Sequence, residues 1–357
     1  MAVPDRRGFL MAGLGLFAGD APASEAASRL RGPIAPRAPD DTGELQVAID
    51  RAVDTGVPLR LGPGVFHVSG LVLPSGLVMS GVGSATRLLG HGQVLMFADG
   101  ADDIRLSDLV LDGAGMTRSE AAPALLTLRD TRRLVVERVV VRAAPRDAIH
   151  VEGSRGRVRD VSIVGPERDG LVLVDSRGIE VAGGEVVGAG GVGLRIARRE
   201  RGEDGTRIAG LAVETPRGRA GITVERASGV TITGARVEGA RGAGIAIDAA
   251  NAVTVEASRI LGPGGPGIAI AGLSVRARIA GNRVEDASVG VEDRGPGPSL
   301  ILGNAIARCR IGIALAAPDA GHVVADNLVT GAADGALVAI DAEGRPRAAP
   351  ATRLSPG

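Results

Sequence analysis

Across 357 residues the chain has no Trp, no Tyr, no Lys and only four Phe, yet it is 45% hydrophobic, so any core must be aliphatic and disorder over most of the length is excluded. Its 41 basic residues balance 41 acidic ones, which leaves no electrostatic footprint for nucleic acid. Fifty-five glycines without a Gly-X-Y period exclude collagen and call for frequent turns of positive φ, and the single cysteine, Cys309, excludes an intramolecular disulfide.

The N-terminus reads as an address. Arg6-Arg7-Gly8-Phe9-Leu10 precedes an apolar run from Met11 to Ala18, and Ala21-Pro22-Ala23 offers the small residues a signal peptidase needs. The run is too short to span a bilayer. Paired arginines ahead of Gly-Phe-Leu resemble the bacterial twin-arginine export signal, with Asp5 and Met11 where Ser or Thr and Lys are usual; an ordinary Sec signal is the alternative. Residues 1–28 are therefore expected to be a signal peptide, and the mature protein to be periplasmic or secreted with no stable membrane span. Residues 29–40 read as a Pro-rich linker.

From residue 41 the pattern changes. Leu45, Ala48, Ile49 and Ala52 fall at i, i+3, i+4 and i+7, an amphipathic helix with Asp41 as N-cap and Glu44 completing a capping box. Ahead of a repeat array, such a helix plugs the open end. Residues 57–83 then read as strand, Gly-Pro-Gly turn, strand, Pro-Ser-Gly turn, strand.

A repeat follows. Gly170, Gly193, Gly221, Gly244, Gly267, Gly290, Gly312 and Gly335, each leading a short apolar phrase, are spaced 23, 28, 23, 23, 23, 22 and 23 residues apart. A second set of phrases lies between them, such as Thr231-Ile232-Thr233-Gly234 and Arg278-Ile279-Ala280-Gly281-Asn282. Two or three short strands per repeat exclude ankyrin or tetratricopeptide arrays and fit one coil of a parallel β-helix. Equivalent residues then stack, giving an inward column of Ile149, Leu171, Leu194, Ile222, Ile245, Ile268, Val291 and Ile313. Asn282, Asn304 and Asn327 form a turn column expected to take the left-handed conformation and to bond along the stack; Ala257 stands where neighbouring coils have Gly. About ten coils between residues 100 and 340 make a rod on the order of 50 Å long. Residues 342–357 are expected to be a disordered tail.

Asp41-Thr42 to Asp50, Leu61-Gly62-Pro63-Gly64-Val65-Phe66-His67-Val68 and Leu73-Pro74-Ser75-Gly76 resemble the N-terminal part of pectate-lyase-like proteins. Together with the export signal and the 23-residue repeats, the chain is similar to the twin-arginine-translocated repetitive proteins over about residues 1–340. The resemblance implies an all-β fold, a right-handed parallel β-helix solenoid spanning residues 41–341, and is silent on activity. Signatures of the active relatives are missing: the Asn-Thr-Asp, Gly-His-Gly and Arg-Ile-Lys set of polygalacturonases, the Asp-Pro-His of mannuronan epimerases and the Asp of calcium-binding nonapeptides.

One constellation carries chemistry. Arg146-Asp147 and Arg168-Asp169 lie 22 residues apart, one coil, so they should stack, with His150 on the outward side of the following strand. Stacked carboxylates serve as acid and base or hold a cation, and the arginines would neutralise a uronate. The bland alternative is a pair of solvated Arg-Asp turns with His150 an exposed strand residue. Arg195 to Thr206, which lengthens one repeat, should bulge as a charged loop. His67 and His91 have no metal-binding spacing, His322 begins a strand on its own, and Cys309 reads as a small buried hydrophobe.

Three functions fit. The first is an exported β-helix binding or surface protein without catalysis, engaging cell-envelope polysaccharide, and against tight glycan binding stands the lack of the Trp and Tyr on which sugar faces stack. The second is a polyuronate lyase or epimerase, or a glycoside hydrolase, using Asp147, Asp169, His150, Arg146 and Arg168. The third is a cofactor carrier, for which no ligand cluster speaks; no metal and no cofactor are expected. Oligomeric state is left open.

Overall fold

The computed structural model describes residues 33–37, 39–118, 122–341 and 345. The expected signal peptide, residues 29–32 and 38 of the linker and nearly all of the tail lie outside the described residues. The described end of the linker is not free: Ile34 bridges Leu61 in parallel, and the amide of Gly62 donates to the Ile34 carbonyl at 2.6 Å.

Among the described residues the strands form two parallel sheets, of 12 and 22 strands, wound as a right-handed β-helix. One coil shows the plan. Leu171–Val174 joins the 12-stranded sheet, then Glu180–Ala182 and Glu185–Val187 join two adjoining ladders of the 22-stranded sheet. Each strand pairs in parallel with its equivalents one coil before and after, as in Ile222 with Ile245 and Ile245 with Ile268. The expected inward column holds throughout and runs further than expected at its start, through Leu71, Met96 and Leu126. Its expected members, Ile149 to Ile313, are at most 2% exposed. Burying one such side chain contributes about 1.5–3 kcal/mol, so the column is one of the main stabilisers of the solenoid.

The repeated glycine has another cause than the one expected. None of Gly170, Gly193, Gly221, Gly244, Gly267, Gly290 and Gly312 has positive φ. They sit instead at or just before the start of each strand of the 12-stranded sheet, packed against the opposing wall. A Cβ on Gly170 would lie 2.5 Å from the Gly193 carbonyl oxygen and 2.6 Å from Val186 Cγ1. Only hydrogen fits there.

Positive φ belongs to the tight turn between the two strands of the 22-stranded sheet: Gly234, Ala257 at 49°, Gly281, Gly303 and Asp326. Asn282, Asn304 and Asn327 are therefore not left-handed, contrary to expectation; each follows the left-handed residue, because its side chain is needed inside. The expected stacking does occur. Asn282 donates through Nδ2 to Asn304 Oδ1 at 3.0 Å and Asn304 to Asn327 Oδ1 at 2.9 Å, while Asn282 Oδ1 accepts from the amide of Ser258.

Helix α1 (Thr42–Thr55) buries Leu45, Ala48 and Ile49 against the first coil. Its capping box does not form. Thr42 N–H donates to Asp40 instead, and Asp41 accepts from the amides of Arg37 and His67, tying the entering chain to the strand Gly64–Val68. Gln46 completes the plug: its side chain both accepts from the amide of Val72 and donates to the carbonyl of Val72, satisfying a backbone edge of the first coil. At the far end Val324, Val329 and Leu337 are only half-buried, where their equivalents one coil earlier are fully enclosed. No helix among the described residues is long and apolar enough to cross a membrane.

Candidate functional site

The strand Asp147–Glu152 sends Ile149 and Val151 inward and leaves Asp147, His150 and Glu152 on the outward face of the 12-stranded sheet. The register then fixes what stacks on them. Arg168 N–H donates to the Arg146 carbonyl at 3.2 Å, so the two arginines share a column, and Asp147 faces Asp169 one coil on. The sequence-predicted cluster of Arg146, Asp147, His150, Arg168 and Asp169 is thus brought together.

Its carboxylates are not solvated, which corrects the bland alternative. Asp147 and Asp169 are 4% and 5% exposed, and each stitches two coils: Asp147 Oδ1 accepts the amide of Asp169 at 3.1 Å, and Asp169 Oδ1 accepts the amide of Val192 at 2.8 Å. Guanidinium and imidazole groups stand around the same carboxylates. Arg168 Nε is 3.6 Å from Asp147 Oδ1, Arg195 Nη1 is 3.3 Å from Asp169 Oδ2, and His150 Nδ1 lies 4.0 Å from Asp147 Oδ2. Burial pushes the Asp147 carboxyl above the usual range, against the Asp169 amide and Arg168. Burial also pushes His150 down, against Glu152, whose carboxylate is 3.5 Å from Nε2. A carboxyl inclined to hold a proton beside an imidazole inclined to lose one is the pairing that acid-base chemistry uses.

Arg195 and Glu225 belong to the same cluster, 3.3 Å apart, and sequence reading missed both. The lengthened repeat predicts a bulging loop at Arg195, but the residue lies in the long strand Leu194–Glu203, in the outward column Thr127, His150, Val172, Arg195 and Thr223. The extra residues interrupt the ladder only between Ala197 and Gly202. Counting outward positions along the repeat would have found Arg195.

Beside Arg168 the surface is hollowed. Arg118, Gly165, Pro166, Glu167, Gly188, Gly190 and Arg217 line a shallow depression of about 510 Å³. Glycine at Gly165, Gly188 and Gly190 removes the side chains that would fill it, and an ion pair from Arg118 to Glu167 walls one side. Among the described residues no three His, Cys, Asp or Glu side chains converge as metal ligands. His322 does not stand alone at a strand start but turns inside the solenoid onto Asp293, and Cys309 is buried as expected.

A family model for the right-handed β-helix region matches residues 147–291 and 220–346. The chain belongs to the right-handed β-helix family. No curated protein matches it significantly in sequence. Solved structures of like fold include the A-module of mannuronan C-5 epimerase AlgE6 from Azotobacter vinelandii, at 19% identity and TM-score 0.67 over 84% of this chain and 97% of that one. PfbA, a surface adhesin of Streptococcus pneumoniae, is similar at 14% identity and TM-score 0.70, covering 88% of this chain and 92% of its own. The catalytic domain of a GH87 α-1,3-glucanase in complex with nigerose aligns at 12% identity and TM-score 0.50 over 85% and 68%. At such identities the likeness is one of fold, and function has to be argued from the site.

Proposed function

We propose that the protein is an exported, glycan-binding β-helix protein that holds a polysaccharide on the outward face of its 12-stranded sheet, across Arg168, Arg195 and the adjoining depression. One observation carries the reading. The side chains of Arg168 and Arg195, 46% and 31% exposed, are seated on the buried carboxylates of Asp147 and Asp169, so partly exposed donors are already held in place. Donors ordered in advance lose little freedom on binding. The names of proteins with like fold point the same way, toward mannuronan, nigerose and a cell surface. Calorimetric titration with neutral and acidic oligosaccharides tests the reading: Arg195→Ala should weaken binding, and a wild type that binds neither class would overturn it.

A second reading, a polyuronate lyase or epimerase, is favoured by His150. Removing a proton from the carbon next to a carboxylate needs a neutral base and a cation on that carboxylate. His150 would be the base, Arg168 or Arg195 the cation and Asp147 the acid. Unsaturated or epimerised products from a polyuronate, absent with His150→Gln, would establish it.

The same proposal places the chain with the twin-arginine-translocated repetitive proteins. Arg6 and Arg7 support it, and a reporter fused to residues 1–28 should lose export when both become Lys.

A further inference from the structure

Backbone bonds across one corner of the solenoid order a column of turn residues. Gly190 N–H donates to Pro166, Arg217 to Ala189, Arg241 to Pro216 and Gly264 to Ala240, at 2.8 to 3.1 Å. Successive positions in that column are therefore Glu167, Gly190, Arg217, Arg241 and Gly264. The next column along the turn is Gly191, Gly218, Gly242 and Gly265, linked by Gly218 N–H to Gly191 and Gly265 N–H to Gly242, both 2.9 Å. This bare floor is enforced. A Cβ on Gly218 would come within 2.5 Å of the Gly191 carbonyl carbon, and one on Gly242 would strike the Arg219 carbonyl.

Two exposed arginines thus rise from a glycine floor, one coil or about 4.8 Å apart, at the rim of the depression that Arg217 helps to line. Neither side chain has a hydrogen bond or ion pair among the described residues. Arg168, Arg195 and Arg219, by contrast, each meet a carboxylate. Like charges at one-coil spacing repel, by a small amount where solvent and salt screen them. An anion between or above them removes the cost.

We propose that Arg217 and Arg241 anchor a linear acidic glycan laid along the solenoid axis, one guanidinium to each of two successive anionic groups, with the depression holding the sugar rings beyond. The coil spacing is close to the length of one pyranose residue, so the fold itself sets the register. Guanidinium suits carboxylate and sulfate alike, through paired N–H donors. The inference rests on the glycan-binding reading above and specifies the class of glycan and the turn that selects it.

Full-length protein is titrated with a uronate oligosaccharide, a sulfated oligosaccharide and a neutral glucan of equal length, at low and high salt. Arg217→Ala/Arg241→Ala should weaken the acidic ligands about tenfold or more, as expected for loss of charge-assisted hydrogen bonds, and flatten the salt dependence. Thermal midpoints should not move, since both side chains are free of the fold. Loss for one acidic ligand names the source of the charge; loss for both shows that charge alone is read. Three results overturn the inference: a double variant that binds acidic glycans like wild type, a neutral glucan bound as tightly, or single-stranded DNA bound equally well. If Arg195→Ala still weakens glycan binding while the double variant does not, this inference fails and the glycan-binding reading stands.

Discussion

His322 Nδ1 lies 3.5 Å from Asp293 Oδ2 inside the solenoid, with the two side chains 1% and 0% exposed. Asp293 occupies an inward column otherwise made of Val151, Leu173, Ile196, Val224, Ile247, Ile270 and Leu315. Ser299, also buried, faces the same carboxylate. Asp293 Oδ1 accepts from the Gly295 amide at 2.8 Å, but Oδ2, Ser299 Oγ and both His322 nitrogens lack a well-formed hydrogen bond. A polar knot has replaced aliphatic packing near the open end. Removing one member of such a buried pair costs about 3–5 kcal/mol, whereas replacing the whole by apolar groups is often neutral or favourable. His322→Ala should therefore lower the urea midpoint sharply. The triple variant Asp293→Leu, Ser299→Ala, His322→Leu should match or exceed wild type, and a triple variant as weak as the single one would show the knot to be needed.

Two glycine-related substitutions should have opposite signs. Gly244→Ala puts a Cβ 2.5 Å from the Gly267 carbonyl oxygen and against Ile260, an overpacking expected to cost about 1–3 kcal/mol. Ala257→Gly relieves a residue at φ 49° and should gain about 0.5–1 kcal/mol. Thermal melts of the two variants check both, and equal signs would contradict the packing described.

Much of this was legible because a β-helix converts sequence period into spatial column. Ile222, Ile245 and Ile268 could be placed over one another from spacing alone, and so could Asp147 and Asp169. Spacing does not report which way a turn residue points. Hence spacing predicts a left-handed backbone at Asn304 that Gly303 in fact supplies, and it gives no sign that the repeated glycines mark a close approach. Spacing also fails where a coil is lengthened, which is why Arg195 was given to a loop. Asp293 went unseen because one polar residue in an apolar column looks like noise until His322 is found against it.

The asparagine stack makes a sharp test of cooperativity along the axis. Asn304 Nδ2 donates to the Ile279 carbonyl and to Asn327, while its Oδ1 accepts from the amide and side chain of Asn282, all within 2.9 to 3.0 Å. Asn304→Ala takes a partner from the Asn282 amide, the Asn282 side chain and the Ile279 carbonyl, all one coil earlier, each loss worth about 1–3 kcal/mol. Hydrogen exchange should then rise first at Asn282 and its neighbours, ahead of the coils near Leu171.

Stability should also depend on pH, with a sign set by burial. Asp147, Asp204 and Asp293 all have carboxyls raised by desolvation. The folded state then takes up protons before the unfolded state does, so these groups add stability as pH falls through their folded values. The gain is complete once pH is below the unfolded value of about 3.9. His150, lowered by burial, acts oppositely: its stability is present above about 6.5 and is lost as pH falls through its folded value. Exposed carboxyls bonded to arginine, such as Asp103 and Asp108, are lowered and lose their contribution only below about 3.9. Thermal midpoints followed from about pH 8 to about pH 4 separate the terms. Asp147→Asn should shrink the acid-side gain, and His150→Gln should remove the opposing loss below about 6.5. Profiles of both variants parallel to wild type would mean that neither group is desolvated as the fold requires.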